Sequence, residues 1–367
     1  MQKSDTLKVI TQFSCSSVPG FIDAKPAIKS ECEKAGYNAE FYETDISGIE
    51  NLNLSENETV LILCYSEIFL NSVLNAFEKR KVHGIVVGLD APQSNCSCIS
   101  FNRAKSIHLL TDYFKQHNKT KTALFGINQN SASDLKRVET FLKCCGEKSL
   151  KDIFYKEGSL DLICSRFDFS AYDSVICPND MTAIVLLRHA ALSKVDLKNI
   201  FIVGYGNTLL SKHVSPSLTT IGIDYAEAGR IAVRLYEFLK KHADNSYVRI
   251  EIKGKLYIRE TTNNLSYNPE KNIQKPDENE LKLNFLNDKD VILLDKINKM
   301  LSYCDETDFK IIKGIMKGIG REQTSQNLHI GISTYKYRVN KIYKRLGIES
   351  KPDLLDLLKK YNIFNNS

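Results

Sequence analysis

The chain has 367 residues, of which 43% are hydrophobic and 26% are charged, as in an ordinary globular protein. That length is enough for two or three domains with their own cores. The net charge of +6 is too small for the whole surface to bind polyanions, so any basic patch must be local. The N-terminal residues lack the apolar stretch of a signal peptide and no long apolar run occurs, so we expect no membrane partner.

The ten cysteines show neither CxxC spacing nor a zinc-ligand pattern with histidine. Several of them, such as Cys64 and Cys177, lie in apolar runs where a free cysteine acts as a small hydrophobic residue. We therefore expect a reducing, cytoplasmic location, with no metal site and no cofactor. Disulfides in a secreted protein are the alternative.

Short apolar runs alternate with amphipathic helical segments as far as about residue 260. This alternation predicts an α/β protein with parallel sheets covered by helices on both faces. The series is too long for one sheet, so we expect two lobes. The predicted strands are 7–13, 38–43, 59–65, 84–90, 98–101, 122–127, 152–156, 173–178, 200–206, 218–223 and 248–258.

The composition changes after Thr262, where a polar stretch with two prolines predicts a linker. Beyond it the strand patterns stop, which predicts an all-α region. One predicted helix, 287–304, has an apolar stripe that pairs either with a second copy or with its own chain. The predicted helices are 287–304, 305–318, 321–328, 333–346 and 351–361.

The helix predicted at 333–346 has two different faces. Ser333 is expected to cap its N-terminus and Gly347 to end it. One face is apolar and suits a core. The other presents cations, an amide and an aromatic ring, which can bond phosphates and base edges in a major groove. A solvated basic face is the alternative. The residues of the second face are Lys336, Tyr337, Asn340, Lys341 and Lys344, with Arg338 and Arg345 beside it.

The basic helix follows the short predicted helix 321–328 across a tight segment, which is a helix-turn-helix arrangement. Acidic, apolar and glycine positions keep a characteristic order: Asp308, Ile311, Ile312, Ile315, Gly318, Leu328, Ile330, Thr334, Lys336 and 345–348. In this order residues 304–361 resemble the LuxR-type DNA-binding domain. Thr324, Ser325, Tyr335 and Arg338 depart from the usual residues. The resemblance implies that Lys336, Tyr337 and Asn340 face the groove. Together with the basic face, it leads us to expect contacts with double-stranded DNA from Thr334, Lys336, Tyr337, Arg338, Asn340, Lys341 and Lys344.

A second set of motifs lies between residues 173 and 261. Asn179-Asp180 follows a strand, "VGY" ends the next strand, and "LTTI" precedes a helix that contains "GR-x-AV". These motifs strongly resemble the effector-binding domain of LacI/GalR-type regulators, which shares the periplasmic sugar-binding fold. The resemblance extends more faintly back to Leu7. It implies two lobes that close on a small molecule, such as a sugar, at the carboxyl ends of the strands.

The resemblance also implies ligand contacts from Asp90, Arg137, Asn179 and Tyr225, whose ring can stack on a sugar. Each position has a structural alternative: a helix cap for Asn179, a local ion pair with an acid such as Asp134 for Arg137, and a turn cap for Asp90. After "VGY" the family usually has aspartate. Here Gly206 takes that place and is followed by Asn207, which we add to the candidate ligand residues.

These patterns predict an effector domain at 1–262, a linker and connecting helix at 263–303 and a DNA-binding domain at 304–367. The predicted function is a cytoplasmic, homodimeric one-component transcriptional regulator. The chain shows no nucleophile elbow, Walker loop or metal-spaced histidine cluster, so we expect no enzyme. A ligand-independent scaffold with a degenerate effector domain, which binds DNA or a protein, is the alternative. LacI-type regulators carry their DNA-binding head before the effector domain, so their coupling cannot be transferred to this chain.

Overall fold

The computed structural model describes residues 5–13, 19–64, 66–91, 96–242, 247–263 and 288–364. The chain divides into two compact units. Unit 1 comprises Met1–Ser106 and Ile223–Lys255, and unit 2 comprises Ile107–Gly222 and Leu256–Ser367.

The strands lie where short apolar runs predict them. They are β1 (Thr6–Gln12), β2 (Asn38–Thr44), β3 (Thr59–Leu63), β4 (His83–Val87), β5 (Cys96–Phe101), β6 (Thr122–Ile127), β7 (Ile153–Tyr155), β8 (Ser174–Ile176), β9 (Phe201–Tyr205), β10 (Thr219–Gly222), β11 (Arg249–Ile252) and β12 (Lys255–Tyr257).

Helices lie between most strands and follow one another through residues 288–364. They are α1 (Pro19–Ala35), α2 (Glu67–Arg80), α3 (Arg103–Gln116), α4 (Ala132–Cys145), α5 (Leu160–Ser165), α6 (Asp180–Leu192), α7 (Leu209–His213), α8 (Tyr225–Lys241), α9 (Lys289–Ser302), α10 (Glu306–Met316), α11 (Arg321–Asn327), α12 (Ile332–Leu346) and α13 (Lys351–Lys360).

Each unit has one six-stranded sheet. The order is β11-β5-β4-β3-β1-β2 in unit 1 and β12-β10-β9-β8-β6-β7 in unit 2. Neighbouring strands run parallel, as β1 does against β2 and β9 against β10. The two orders are equivalent strand for strand. The predicted α/β class, with parallel sheets in two lobes, is therefore confirmed.

The prediction of one strand over 248–258 is wrong. The chain makes two strands there, and they belong to different sheets: β11 pairs with β5 in unit 1, and β12 lies beside β10 in unit 2. Exposed and half-buried residues alternate from Arg249 to Leu256, so the sequence period does not change where the chain leaves one sheet for the other.

We call residues 107–222 the lobe part of unit 2, and residues 288–364, with α9–α13, the helical region. A single hydrophobic cluster runs through both. The stripe of the predicted connecting helix, which comprises Val291, Leu294, Ile297 and Leu301, is buried in it. Of the two alternatives for this stripe, the structure thus shows packing on the same chain. The predicted linker lies mostly outside the described residues.

The ends of α12 show one correction. Gly331, not Ser333, occupies the N-cap position, with extended backbone and no side-chain cap. The sequence favoured serine because its hydroxyl can cap, but the helix begins at Ile332, one residue earlier than predicted. Gly347 ends the helix in the left-handed conformation at φ 71°, which confirms that prediction.

All nine cysteines within the described ranges carry free thiols. Among the helices of those ranges, none is long and apolar enough to cross a membrane. The same residues contain no group of three or more His, Cys, Asp or Glu that could hold a metal ion.

Candidate ligand site and nucleic-acid interface

The carboxyl ends of β6, β8 and β9 bring three predicted ligand residues to one edge of the sheet of unit 2, because parallel strands all end on the same side. Asn179 follows β8 and caps α6: its side-chain oxygen accepts a hydrogen bond from the Thr182 N–H at 2.9 Å. The structural alternative for Asn179 is therefore present. The cap leaves the amide nitrogen as the donor that a ligand could use.

Arg137, on α4, is held by its neighbours. Its Nη1 donates to Asp134 Oδ1 at 2.5 Å, and its guanidinium carbon lies 4.6 Å from the centroid of the Tyr205 ring. The other carboxylate oxygen of Asp134 accepts the Asn128 N–H at 3.0 Å. Arg137 is 7% exposed, and its buried Nε has no hydrogen-bond partner among the described residues. The predicted local pair with Asp134 thus exists, and the Nε–H of the guanidinium remains available as a donor.

Gly206, directly after β9, has a φ of 123°, a conformation that side chains rarely adopt. A Cβ built there would lie 3.6 Å from Asp180 Oδ2. Asp180 is 1% exposed and accepts bonds from the Thr208 N–H and hydroxyl and from the Thr220 hydroxyl, at 2.6–2.9 Å. Burial raises the pKa of the Asp180 carboxyl, and the threonine bonds oppose that effect. This carboxylate fixes the loop after β9 and offers nothing to a ligand.

Asn207 is also held from within, at a φ of 48°. Its side-chain oxygen accepts a hydrogen bond from the Arg259 guanidinium. Arg259 further donates to the Ser211 hydroxyl at 2.9 Å and to the Leu218 carbonyl at 2.7 Å. Arg259 and Asp180 were not among the sequence-predicted residues. The "ND" motif pointed to Asp180, but no local signal links it to threonines 28 and 40 positions further on.

The two remaining candidates lie in unit 1. Asp90 is 43% exposed at its side chain and forms ion pairs with Arg103 at 3.3 Å and Arg249 at 3.6 Å. Tyr225 begins α8 and packs edge-to-face on Phe101, with ring centroids 4.8 Å apart. Its ring also lies so close to Gly20 that a Cβ there would come within 2.5 Å of it. Both side chains are therefore positioned by their own unit.

The helical region contains two helices joined by a tight turn, α11 and α12. His329 in the turn has a φ of 52°. The inward face of α12 is buried and comprises Tyr335, Val339, Ile342 and Leu346. The two departures in α11 are buried too: Thr324 and Ser325 are at most 4% exposed, and the Thr324 hydroxyl donates to the Gly320 carbonyl at 2.9 Å.

The outward face of α12 is open to solvent. Tyr337 is 68% exposed, and the whole helix carries no acidic residue. Residues 288–364 contain 15 Lys or Arg and 10 Asp or Glu, so +5 of the net charge of +6 resides in this region. The exposed polar side chains of this face are Thr334, Lys336, Tyr337, Asn340, Lys341 and Lys344.

Arg338 is placed differently from the other predicted DNA contacts. Its Nη1 donates to Asp305 and to Asp308, both at 2.8 Å, and its side chain is 26% exposed. The two carboxylates raise the pKa of the guanidinium. Arg338 thus ties α12 to the N-terminus of α10, and the acid predicted near the start of that helix, Asp308, is its partner.

The α/β part of the chain is similar to known proteins. Residues 111–262 match the model of the periplasmic binding protein-like domain. The sucrose operon repressor of Staphylococcus xylosus is 22% identical over 240 residues, which cover 62% of this chain and 74% of that protein.

Solved structures agree at the level of the fold. The transcriptional regulator CelR in complex with cellobiose superposes with a TM-score of 0.59 and 14% identity, over 70% of this chain and 84% of that one. The regulator CcpA of Lactococcus lactis gives the same TM-score and identity, over 70% and 99% of the two chains. The α/β units therefore have the fold of the periplasmic-binding-protein-like effector domain of LacI-type regulators.

Proposed function

We propose that the protein is a one-component transcriptional regulator that binds double-stranded DNA through α12 and a small-molecule effector through its α/β units. The observation that carries the DNA-binding half is the outward face of α12. It gathers exposed cations, an amide and a tyrosine on a helix without an acid, while the opposite face is anchored in a core. This partition is what a helix in a major groove requires, because the groove-facing side must be free and the other side rigid.

The resemblance of residues 304–361 to the LuxR-type domain supports this proposal. In that comparison Lys336, Tyr337 and Asn340 face the bases, while Lys341 and Lys344 lie further along the helix and suit phosphates. One small head makes few contacts, so we propose a homodimer that binds two half-sites about one helical turn apart. As the only activity proposed is binding, we assign no catalytic role and no cofactor, and place the protein in the cytoplasm with its DNA.

The effector half rests on the fold and on the relatives. A sucrose operon repressor and a regulator bound to cellobiose share this architecture, so a sugar or sugar derivative is the class to test. Arg137, with a free Nε, and Asn179, with its amide nitrogen, both present donors at the carboxyl edge of the sheet of unit 2. A ligand that brings acceptors would satisfy them.

A second candidate function is a ligand-independent scaffold. It is favoured by the internal use of the same edge: Gly206 replaces a carboxylate, Asp180 bonds threonines, and Asn207 bonds Arg259. Under this alternative the effector domain would only support the helical region.

Selection from a random duplex library with the full chain tests the DNA-binding half. We expect one enriched sequence with two related half-sites about 10 base pairs apart, and a steep loss of affinity with salt. An Asn340→Ala variant should relax the preference at one position of each half-site. The absence of any enriched sequence at low and moderate salt would contradict the proposal.

Thermal unfolding with a panel of sugars, sugar phosphates and acidic sugars separates the two candidate functions, because only a ligand of the native state raises Tm. Calorimetry of Arg137→Ala and Asn179→Ala with a ligand found in this way should show affinity losses of about 10-fold or more. Lys136→Ala is the matched control, since Lys136 neighbours Arg137 but is exposed and pairs with Glu139. No stabilisation by any compound would favour the scaffold.

A further inference from the structure

The lobe part and the helical region of unit 2 share a buried cluster of charges around Asp290, the second residue of α9. Arg188 of α6 donates to Asp290 Oδ2 at 3.0 Å, and Lys360 donates to Oδ1 at 2.7 Å. The Tyr361 hydroxyl donates to the same oxygen, Oδ1. Side-chain exposure is 5% for Arg188 and 7% for Asp290. One carboxylate thus joins a lobe helix to both ends of the helical region.

Arg188 also has a partner within the lobe. Its Nη1 lies 3.3 Å from Asp161 Oδ1, an atom that His189 Nε2 approaches at 2.7 Å. Burial raises the pKa of Asp161, but the bond with His189 and the charge of Arg188 outweigh it, so the net shift is downward. The arginine therefore lies between two carboxylates, one on each side of the junction.

Two more side chains, the N-cap residue of α9 and one residue within that helix, satisfy backbone groups of the lobe. Asp288 caps α9 through Oδ1 and accepts the Leu160 N–H of α5 through Oδ2 at 2.9 Å. Asn298 accepts the Leu210 N–H of α7 at 3.3 Å. Residues of the helical region thus accept hydrogen bonds from the N–H groups at the starts of two lobe helices. These bonds would break if the helical region moved away from the lobe.

The chain after α13 returns to the lobe through its backbone. The Ser215 N–H donates to the Asn362 carbonyl at 2.8 Å, and the Phe364 N–H donates to the His213 carbonyl at 2.9 Å. Val214 and Ile363 form an antiparallel bridge between them. Together with the shared hydrophobic cluster, these contacts join the end of the helical region to the lobe part.

From this geometry we propose that the helical region is permanently docked on α5–α7, and that Arg188, a lobe residue, is a positioning residue for α12. The path from Arg188 to the DNA-facing helix is short: Arg188 bonds Asp290 on α9, and α9 packs directly on α12. The positioning role of Arg188 in DNA binding rests on the proposed function. The docking does not depend on that function. The lobe would thereby fix the direction in which each recognition helix points.

The test uses the full chain with Arg188→Met, which keeps much of the side-chain length and removes the charge. We expect hydrogen exchange at the amides of Leu160, Leu210, Ser215 and Phe364 to rise 10-fold or more, while strands β8 and β9 stay protected. Arg166→Met is the matched control, because Arg166 is an exposed arginine of the same lobe, and its exchange should equal wild type.

DNA binding gives the second readout. If Arg188 positions the helix, Arg188→Met should lose about 10-fold or more on a duplex with two half-sites and keep wild-type affinity for a single half-site. A merely structural role would weaken both equally. Lys360→Met removes one exposed contact to Asp290 but leaves its pair with Arg188. Lys360→Met should give a smaller rise in hydrogen exchange at the Phe364 amide. If Arg188→Met does not fold, this variant alone tests whether the Asp290 cluster holds the helical region on the lobe.

Rapid exchange of the four amides in the wild-type chain would overturn the docking. Unchanged exchange in both Arg188→Met and Lys360→Met would overturn the role of the Asp290 cluster in holding it. Increased exchange with equal loss on both duplexes would overturn the positioning role. If the wild-type chain binds no DNA while exchange rises as expected, the docking stands and the proposed function fails.

Discussion

Helices α2 and α6 occupy equivalent places in the two units, each between the third and fourth strands of its half, yet their surfaces differ. Helix α2 buries one face and exposes the other, with Ile68, Asn71, Asn75, Glu78 and Lys79 in solvent. Helix α6 is buried at every position from Asp180 to Ala190. The difference follows from what packs on each helix, because α6 contacts α9 of the helical region as well as α5 and α7, whereas one face of α2 is left to solvent.

The same comparison extends to the loops that follow the fourth strands. Gly88 after β4 and Gly206 after β9 both have positive φ, and each donates its N–H to the neighbouring strand at 2.8 Å. The backbone turn is thus the same in both units. Only unit 1 places a part-exposed carboxylate, Asp90, two residues further on. The two backbone turns are therefore equivalent, but the side chains that follow them differ.

The largest expected effect is on the free energy of unfolding, and it tests whether α9 packs on α6. Leu294, on α9, is fully buried, so Leu294→Ala should lower the free energy of unfolding of unit 2 by about 2–5 kcal/mol. Ile292 on the same helix is 41% exposed, and Ile292→Ala should cost no more than about 0.5 kcal/mol. Denaturant unfolding of both variants measures the difference. Equal, small losses would mean that α9 does not share the core of the lobe.

The next largest effect on stability concerns the turns at Gly88 and Gly206. Alanine at Gly206 or at Gly88 has room, since the nearest atoms lie 3.5 Å and 3.7 Å from the added Cβ, but it must adopt a positive φ. Each substitution should therefore cost about 1–3 kcal/mol, by backbone strain and to a similar extent. Denaturant midpoints measure both. A neutral Gly206→Ala would show that the turn relaxes, and that an aspartate there was not excluded by the backbone.

The smallest effect is a dependence on pH at the junction. His213 packs on Phe309 and Phe364, and burial, with Lys313, Lys212 and Arg259 nearby, lowers its pKa from 6.5 to about 4. Between these values the unfolded chain binds the proton and the folded chain does not, so stability falls as pH drops from 6.5 towards 4. His213→Phe should reduce that loss.

Melting temperatures of wild type and His213→Phe at pH 7 and pH 5 check this prediction. Carboxylates titrate in both proteins, so only the difference between them reports on His213. Equal losses in the two proteins would place the histidine in contact with solvent.

Sequence reasoning reached the fold because strands and helices carry local periodicities, and these survive in almost every element. It failed where the chain crosses between sheets after β11, since the alternation of side chains continues there. It also missed the docking, although a signal existed: the stretch "DMTAIVLLRHAAL" of α6 is apolar on nearly all sides, which predicts a helix covered by something further.

The candidate site was less predictable for a different reason. The positions of Asn179 and Arg137 followed from motif order, but their partners depend on contacts between distant residues. Nothing near Asn207 indicates that Arg259, 52 residues later, would take its oxygen. Likewise, the pairing of Arg338 with Asp305 and Asp308 requires knowing how α10 and α12 cross.

The most direct test of the account compares Lys336→Ala with wild type on the duplex selected by the full chain and on a scrambled duplex of equal length. If α12 reads the bases, the variant should lose about 1–3 kcal/mol, or roughly 5- to 150-fold, on the selected duplex and keep nearly all its affinity for the scrambled one. Lys310→Ala, an exposed lysine on α10 that pairs with Glu306, should match wild type on both. Wild-type affinity of Lys336→Ala on the selected duplex would show that this face of α12 does not read DNA.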